Sequence, residues 1–175
     1  MPVPVLLISG TVGSGKSTIA ADINDLLAEL RIPNAAVDLD ALVWQWPSTS
    51  PWNSDLMFKN LAALWPNYQA HSAERLVLAR VLEERDELDR YRAVIPGAEI
   101  TVCRLSAPQP LRARRLCERM PPGPALEWSL DRTIALADIL DRRAVEDFVV
   151  ENGDRPVREV AIEVLSRCGW LPEPS

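Results

Sequence analysis

The chain of 175 residues is poor in the side chains that form cross-links and metal cages. It has three cysteines, Cys103, Cys117 and Cys168, and a single histidine, His71. An odd number of cysteines without C-x-x-C spacing supports neither a disulfide framework nor a zinc site. We therefore expect reduced, partly buried cysteines and a surface position for His71.

Positive charge and long apolar runs are also scarce. The net charge is −6, so the basic footprint of a sequence-independent nucleic-acid binder is missing. No apolar run reaches the length of a membrane span, and the start Met1-Pro-Val-Pro4 lacks the basic region of a signal peptide. We expect a soluble, cytoplasmic protein with small-molecule partners, no nucleic acid and no membrane, either a monomer or a homodimer.

Glycine and lysine are rare, and they gather at one place. Three of the seven glycines and one of the two lysines lie in Gly10–Ser17, which reads G-T-V-G-S-G-K-S and matches G-x-x-x-x-G-K-[ST]. In this motif backbone N–H groups cradle phosphates, the lysine reaches the β- and γ-phosphates, and the hydroxyl binds Mg²⁺. The predicted nucleotide-binding residues are Gly10, Val12, Gly13, Ser14, Gly15, Lys16, Ser17 and Thr18.

Apolar, β-rich segments alternate with helical patterns along the chain, which is typical of a parallel α/β sheet. We place strands near 4–9, 34–38, 75–81, 99–105 and 147–151. The length predicts one domain over residues 1–175. Within it, a tryptophan-rich stretch at 44–66 and a proline- and arginine-rich stretch at 106–128 follow strands, so both can lie at the ligand-binding edge of the sheet.

Two carboxylates follow the second predicted strand, in the sequence Val37-Asp-Leu-Asp-Ala41. Alternation in an extended segment places Asp38 and Asp40 on the same side, so that one can organise a metal ion and the other can accept a proton from a substrate hydroxyl. The alternative is a solvated turn with two ordinary carboxylates.

The chain resembles the small P-loop kinases of the shikimate, gluconate and adenylylsulfate kinase type. The resemblance rests on G-T-V-G-S-G-K-S-T with its helix, D-L-D after the second strand, the arginine segment after the fourth strand, and Asp147–Pro156 before the last helix. It implies a three-layer P-loop nucleotide-kinase-like fold, with a five-stranded parallel sheet and helices on both faces.

The resemblance also implies ATP and Mg²⁺ as cofactors. Ser17 and Asp38 would serve the metal, and Asp40 would serve the acceptor as a possible base, although the division between the two aspartates stays open. An arginine-bearing lid over 106–128 would reach the phosphates, and Arg115 and Pro156 would flank the adenine.

The lid candidate is the helical pattern Leu111–Met120. Ala113, Leu116, Cys117 and Met120 form its predicted apolar face. Arg112, Arg115 and Arg119 form a separate stripe that can neutralise transferring phosphoryl oxygens, with Arg115 and Arg119 preferred; the alternative is a solvated helix face.

The acceptor side is predicted in the flap 44–66. Trp44 and Trp46 are candidates for stacking on an acceptor, whereas Trp65 falls in a helical apolar pattern and is predicted in the core. Arg80, at the end of the third strand, can bind an anionic acceptor group or pair with Glu83 or Glu84. A glycine-rich acceptor loop typical of shikimate kinases is missing there, which argues against shikimate.

These observations predict an ATP- and Mg²⁺-dependent phosphotransferase that acts on a hydroxyl of a small molecule. Two alternatives remain at this stage: a nucleotide-binding regulatory module, and a nucleotide hydrolase without an acceptor substrate.

Overall fold

The computed structural model describes residues 1–48 and 52–171, and its centre is a parallel five-stranded sheet. The strand order is β2-β3-β1-β4-β5, and every neighbouring pair is parallel. The predicted strands are confirmed, except that the third stops before Arg80 rather than at residue 81. The strands are β1 (Val3–Gly10), β2 (Asn34–Asp38), β3 (Arg75–Ala79), β4 (Ala98–Ser106) and β5 (Phe148–Glu151).

Helices connect the strands, as parallel pairing requires. They are α1 (Lys16–Glu29), α2 (Ser54–Ala70), α3 (Leu88–Val94), α4 (Gln109–Arg119), α5 (Pro124–Arg143) and α6 (Val157–Arg167). Two short 3-10 helices, Leu39–Val43 and Arg85–Glu87, follow β2 and precede α3.

The sheet separates two apolar cores because alternate side chains of a strand point to opposite faces. In β1, Leu6 and Ile8 pack with α1 and α6, whereas Val5 and Leu7 pack with α2 and α3. The predicted three-layer arrangement with helices on both faces is confirmed. Trp65 of α2 is 1% exposed, as its position in the apolar pattern predicts.

The three cysteines and the single histidine lie in different environments. Cys103 is buried, Cys168 is partly buried and Cys117 is exposed, all as free thiols, and His71 lies on the surface. Within residues 1–48 and 52–171 no cluster of three or more metal-ligating His, Cys, Asp or Glu side chains occurs. The helices of this part of the chain are all too short or too polar to cross a membrane.

The prediction for the lid helix is wrong in two of its positions. The inward face of α4 is formed by Leu111, Arg112 and Leu116, so Arg112 leaves the predicted arginine stripe, and Cys117 leaves the predicted apolar face and is exposed. Nη1 of the buried Arg112 donates to the carbonyl of Ala107 at 2.9 Å, which satisfies part of its guanidinium, whereas its Nε has no hydrogen-bond partner among the described residues. The rotation leaves Arg115 and Arg119 on the side that faces the phosphate loop.

Candidate functional site

The loop between β1 and α1 depends on glycine at the positions where its backbone turns. Gly13 and Gly15 have φ angles of +79° and +93°, in the left-handed region that side chains disfavour. A Cβ atom at Gly15 would also lie 2.3 Å from Nδ2 of Asn152. Only glycine allows the loop and Asn152 to come this close.

Three side chains from distant parts of the chain hold the carbonyl groups of the loop. Asn152 Nδ2 donates to the Ser14 carbonyl at 2.7 Å, and Thr133 Oγ1 donates to the Val12 carbonyl at 2.7 Å. The guanidinium of Arg115 donates to the carbonyls of Gly13 (3.4 Å) and Gly153 (3.1 Å). Carbonyls held in this way leave the N–H groups of the loop free for a bound anion.

Asn152 and Thr133 were not predicted from the sequence. Asn152 directly follows β5, so its position at the carboxyl end of a strand was the available signal. It is 4% exposed, which is unusual for an asparagine and fits a hydrogen bond to a buried backbone group.

Lys16 lies across the loop. Its Nζ donates to the carbonyls of Gly10 at 3.1 Å and Thr11 at 2.9 Å. Burial of the ammonium lowers the pKa of Lys16 to about 8, although Asp40 and Asp38 act in the opposite direction. A phosphate bound at this point would favour the charged form and restore the pKa.

Ser17 and Asp38 are in direct contact. Ser17 Oγ donates to Asp38 Oδ2 at 2.5 Å, and Asp38 Oδ1 accepts the backbone N–H of Asp40 at 3.0 Å. Mg²⁺ is usually bound by one or two protein oxygens together with phosphates and water, so this hydroxyl and carboxylate suit it chemically.

A first cavity of about 380 Å³ lies in front of the loop. Val12, Gly13 and the run Gly15–Thr18 form its floor, and its walls bear Asp40, Arg115, Arg119, Asn152, Arg155 and Val157. Pro156 is exposed between two of these residues and is not itself among the lining side chains.

A second cavity of about 570 Å³ adjoins the first, and Val12, Lys16 and Asp40 line both. Its other lining residues include Val43, Trp44, Trp52, Ser54, Arg80, Val81, Glu83, Glu87, Arg90, Trp128, Arg132 and Leu136. Trp44 thus lies at the cavity as a largely exposed side chain. Trp46 is 92% exposed and stands outside the lining.

Arg80 is only 8% exposed and forms an ion pair with Asp40 (Nη1–Oδ1, 3.1 Å). Its alternative pairing with Glu83 or Glu84 is wrong. Glu83 instead pairs with Arg132, and Glu84 pairs with Arg143 at 2.6 Å. The guanidinium of Arg80 therefore orients the carboxylate that reaches both cavities.

Trp128 and Arg132 were also missed in the sequence, and Trp52, which lies in the tryptophan-rich stretch 44–66, was not among the preferred contacts. The two indole rings lie 6.0 Å apart between centroids, and the guanidinium of Arg132 stacks over the Trp52 ring at 5.3 Å. Trp52 precedes α2, whereas Trp128 and Arg132 lie in α5, and no sequence motif connects these two segments.

No protein-family model and no curated protein sequence matches this chain. Solved structures are similar to it over nearly the whole length. The Deinococcus radiodurans tunicamycin resistance protein has 17% identity, covers 99% of each chain and gives a TM-score of 0.66. A gluconokinase from Sinorhizobium meliloti 1021 has 20% identity, with 95% of this chain and 91% of that chain covered and a TM-score of 0.60. The Mycobacterium tuberculosis APS kinase, in complex with AMPPNP and APS, has 19% identity, 95% and 98% coverage and a TM-score of 0.59.

These identities are too low to transfer an activity, but the agreement in architecture is extensive. The sheet, its flanking helices and the loop at the end of the first strand are all present in this chain. It has the three-layer P-loop fold of small-molecule kinases.

Proposed function

We propose that the protein is an ATP- and Mg²⁺-dependent phosphotransferase that moves the γ-phosphoryl group to a hydroxyl of a small molecule. The observation that carries this proposal is the meeting of two cavities at Lys16 and Asp40. A nucleotide binder needs the first cavity alone. A second cavity that opens onto the same lysine and carboxylate supplies room for an acceptor at the point of transfer.

The first cavity serves as the donor site. The loop amides and Lys16 bind the phosphates, and Arg115 and Arg119 face them from α4. The adenine lies between Arg115 and the Arg155–Val157 segment that contains Pro156. Ser17 and Asp38 hold Mg²⁺, which neutralises phosphate charge when bound.

The second cavity serves as the acceptor site. Asp40 accepts the proton of the acceptor hydroxyl and is held in place by Arg80. Trp44 contacts the acceptor, and Trp46 belongs to the same flap at its outer side. The whole chain acts as one catalytic domain, with 44–66 as the acceptor flap and 106–128 as the lid.

Phosphate transfer from Mg-ATP to a panel of hydroxyl compounds tests the proposal. Gluconate, APS, shikimate and tunicamycin are the first probes, because the names of similar structures contain them. We expect Asp40→Asn to lower kcat for the acceptor that reacts by about 100-fold or more, with ATP affinity nearly unchanged. Asp25→Asn, an exposed change on α1, is the control.

An unchanged kcat in Asp40→Asn would contradict the role of Asp40 as base. ATP hydrolysis that no acceptor accelerates, or ATP binding without any turnover, would contradict the proposed function as a whole.

A further inference from the structure

The arginines of the second cavity are matched by carboxylates. Arg80 pairs with Asp40, Arg132 pairs with Glu83, and Arg90 pairs with Asp55 at 2.5 Å. Arg132 and Arg90 also stack over the rings of Trp52 and Phe58. The three guanidinium groups that line this cavity thus already have carboxylate partners within the chain, of which Glu83 is the most buried.

The cavity holds one further acid, Glu87, for which the described part of the chain offers no ion-pair partner within 4 Å. Burial raises the pKa of its carboxyl group, and hydrogen bonds from the backbone at Glu84 and Glu83 oppose this shift. An anionic ligand would meet this acid in addition to the paired arginines.

The first cavity contains cations without carboxylate partners, although one of its arginines, Arg155, pairs with Glu163 at 2.7 Å. Lys16 and Arg115 donate to backbone carbonyls, and Arg119 is exposed; in residues 1–48 and 52–171 none of the three forms an ion pair with a carboxylate. These cations are available to polyphosphate. Lys16 lines both cavities, so the difference between them lies in the arginines. Arg115 and Arg119 of the first cavity have no carboxylate partner among the described residues, whereas the three arginines of the second cavity each have one.

Indole rings supply the remaining wall of the second cavity. Trp44, Trp52 and Trp128 are 83%, 52% and 52% exposed, so much of their apolar surface faces solvent at the cavity mouth. Exposed apolar side chains gathered at one cavity commonly mark a binding site, and flat indoles suit flat or apolar ligand groups.

We infer that the acceptor is a neutral alcohol carrying a flat apolar group, rather than a carboxylate, sulfate or phosphate compound. The hydroxyl reaches Asp40, and the flat group packs against Trp52 and Trp128. An anionic group would have to compete with Asp40 or Glu83 for an arginine that is already paired. Breaking the largely buried pair of Arg132 and Glu83 would leave Glu83 uncompensated. The exposed pair of Arg90 and Asp55 contributes little to this preference. This inference rests on the proposed function for the location of the acceptor, but its test measures binding alone.

Matched pairs of probes that differ only in an anionic group provide the test. The pairs are the methyl ester of p-nitrophenyl glucuronide with p-nitrophenyl glucuronide itself, and 4-(hydroxymethyl)benzamide with 4-(hydroxymethyl)benzoate, so that both members of a pair have the same hydroxyl groups. Each is titrated by calorimetry into the full chain saturated with Mg-ADP, which fills the donor site. We expect at least one neutral member to bind at least tenfold more tightly than its anionic partner, and Trp128→Ala to weaken that binding at least tenfold.

A charge variant gives the reciprocal measurement. Glu83→Gln removes the carboxylate partner of Arg132, so the preference for the neutral member should fall at least fivefold. Glu84→Gln is the matched control, because Glu84 pairs with Arg143 and lies outside the cavity lining, and it should leave the preference unchanged. The melting temperature and ADP affinity report that each variant is folded.

Anionic members that bind as tightly as neutral ones, or neutral members that do not bind at millimolar concentration, would overturn the inference. Binding of a neutral member without phosphate transfer from Mg-ATP would contradict the proposed function and leave the inference standing. Phosphate transfer to gluconate or APS, with no binding of the neutral probes, would support the proposed function and overturn the inference.

Discussion

Backbone carbonyls of the phosphate loop accept hydrogen bonds from neutral side chains, from the guanidinium of Arg115 and from the ammonium of Lys16, and the difference matters for ligand binding. Neutral donors from Asn152 and Thr133 hold the carbonyls of Ser14 and Val12, whereas the ammonium of Lys16 occupies those of Gly10 and Thr11. The neutral contacts can persist when phosphate arrives. The lysine must exchange carbonyl oxygens for phosphate oxygens, so its protonation enters the binding equilibrium.

Nucleotide affinity should therefore fall as the pH rises above about 8. The pKa of Lys16 is about 8 in the free protein and is raised by bound phosphates, so binding above that pH takes up a proton. The Kd for ADP should rise by up to about tenfold per pH unit between the pKa of free Lys16 and its pKa in the complex. Below the lower of these two pKa values Lys16 is charged in both states, so its titration should no longer change the Kd. Calorimetry in buffers of different ionisation enthalpy measures both Kd and proton uptake.

Lys16→Met should bind ADP weakly and without this pH dependence. A Kd of the unaltered protein that stays constant from about pH 7 to about pH 10 would contradict the coupling.

Replacement of Asn152 by alanine should loosen the loop and destabilise the protein. The carbonyl of Ser14 would lose its partner in a buried position, at a cost of about 1–3 kcal/mol in the free energy of unfolding. Urea denaturation measures this cost, and ADP affinity should also fall. Asn24→Ala, on a partly exposed position of α1, should change the free energy of unfolding by less than about 0.5 kcal/mol. Equal effects of the two changes would show that Asn152 does not support the loop.

At the scale of single elements, α4 shows what an amphipathic pattern can and cannot predict. The pattern predicts the helix, but it places Arg112 with Arg115 and Arg119, since sequence alone treats every arginine as a solvent-facing residue. The helix packs against α5 in a rotation that buries Arg112 and exposes Cys117. Tertiary contacts, which are not encoded in the local pattern, decide the rotation.

Two arginines of α4 form a matched pair for testing the lid. Arg119 lines the first cavity, and Arg114 lies on the outer side of the same helix in an ion pair with Asp154 at 2.9 Å. We expect Arg119→Ala to lower kcat of phosphate transfer by about 100-fold, because a charge aimed at the phosphoryl oxygens is lost. Arg114→Ala should change kcat by less than about twofold, and both variants should melt near the temperature of the unaltered protein. Similar kcat values for the two would remove Arg119 from the catalytic group.

For the whole molecule, the sheet was predictable because its strands are local patterns, but the part of the second cavity that α5 contributes was not. The loop Gly10–Thr18 and the pair Asp38 and Asp40 are contiguous in sequence and were found there. Asn152 lies 138 residues from its partner Ser14, and Trp128 of α5 meets Trp52 across six intervening helices and strands. Such contacts depend on strand order and helix placement, which one sequence does not reveal.

The two-sided core gives a prediction for global stability. Trp65→Ala should lower the free energy of unfolding by about 3–5 kcal/mol, because a buried indole of the α2 face is removed and leaves a cavity. Trp46→Ala removes the same side chain from a site 92% exposed and should cost less than about 0.5 kcal/mol. Chemical denaturation compares them, and equal losses would contradict the assignment of the core.

The hydrogen bond between Asn152 and Ser14 has a consequence for synthesis of the protein. The ribosome makes the phosphate loop near the beginning of the chain, but the side chain that holds its carbonyl is made only after nearly all the strands and helices. A nascent chain that ends before Asn152 contains the complete phosphate-loop motif but lacks the side chain that holds the Ser14 carbonyl. Nucleotide should therefore stabilise the early folding stages only weakly, and tight nucleotide binding should report that the chain has been made and folded at least as far as Asn152.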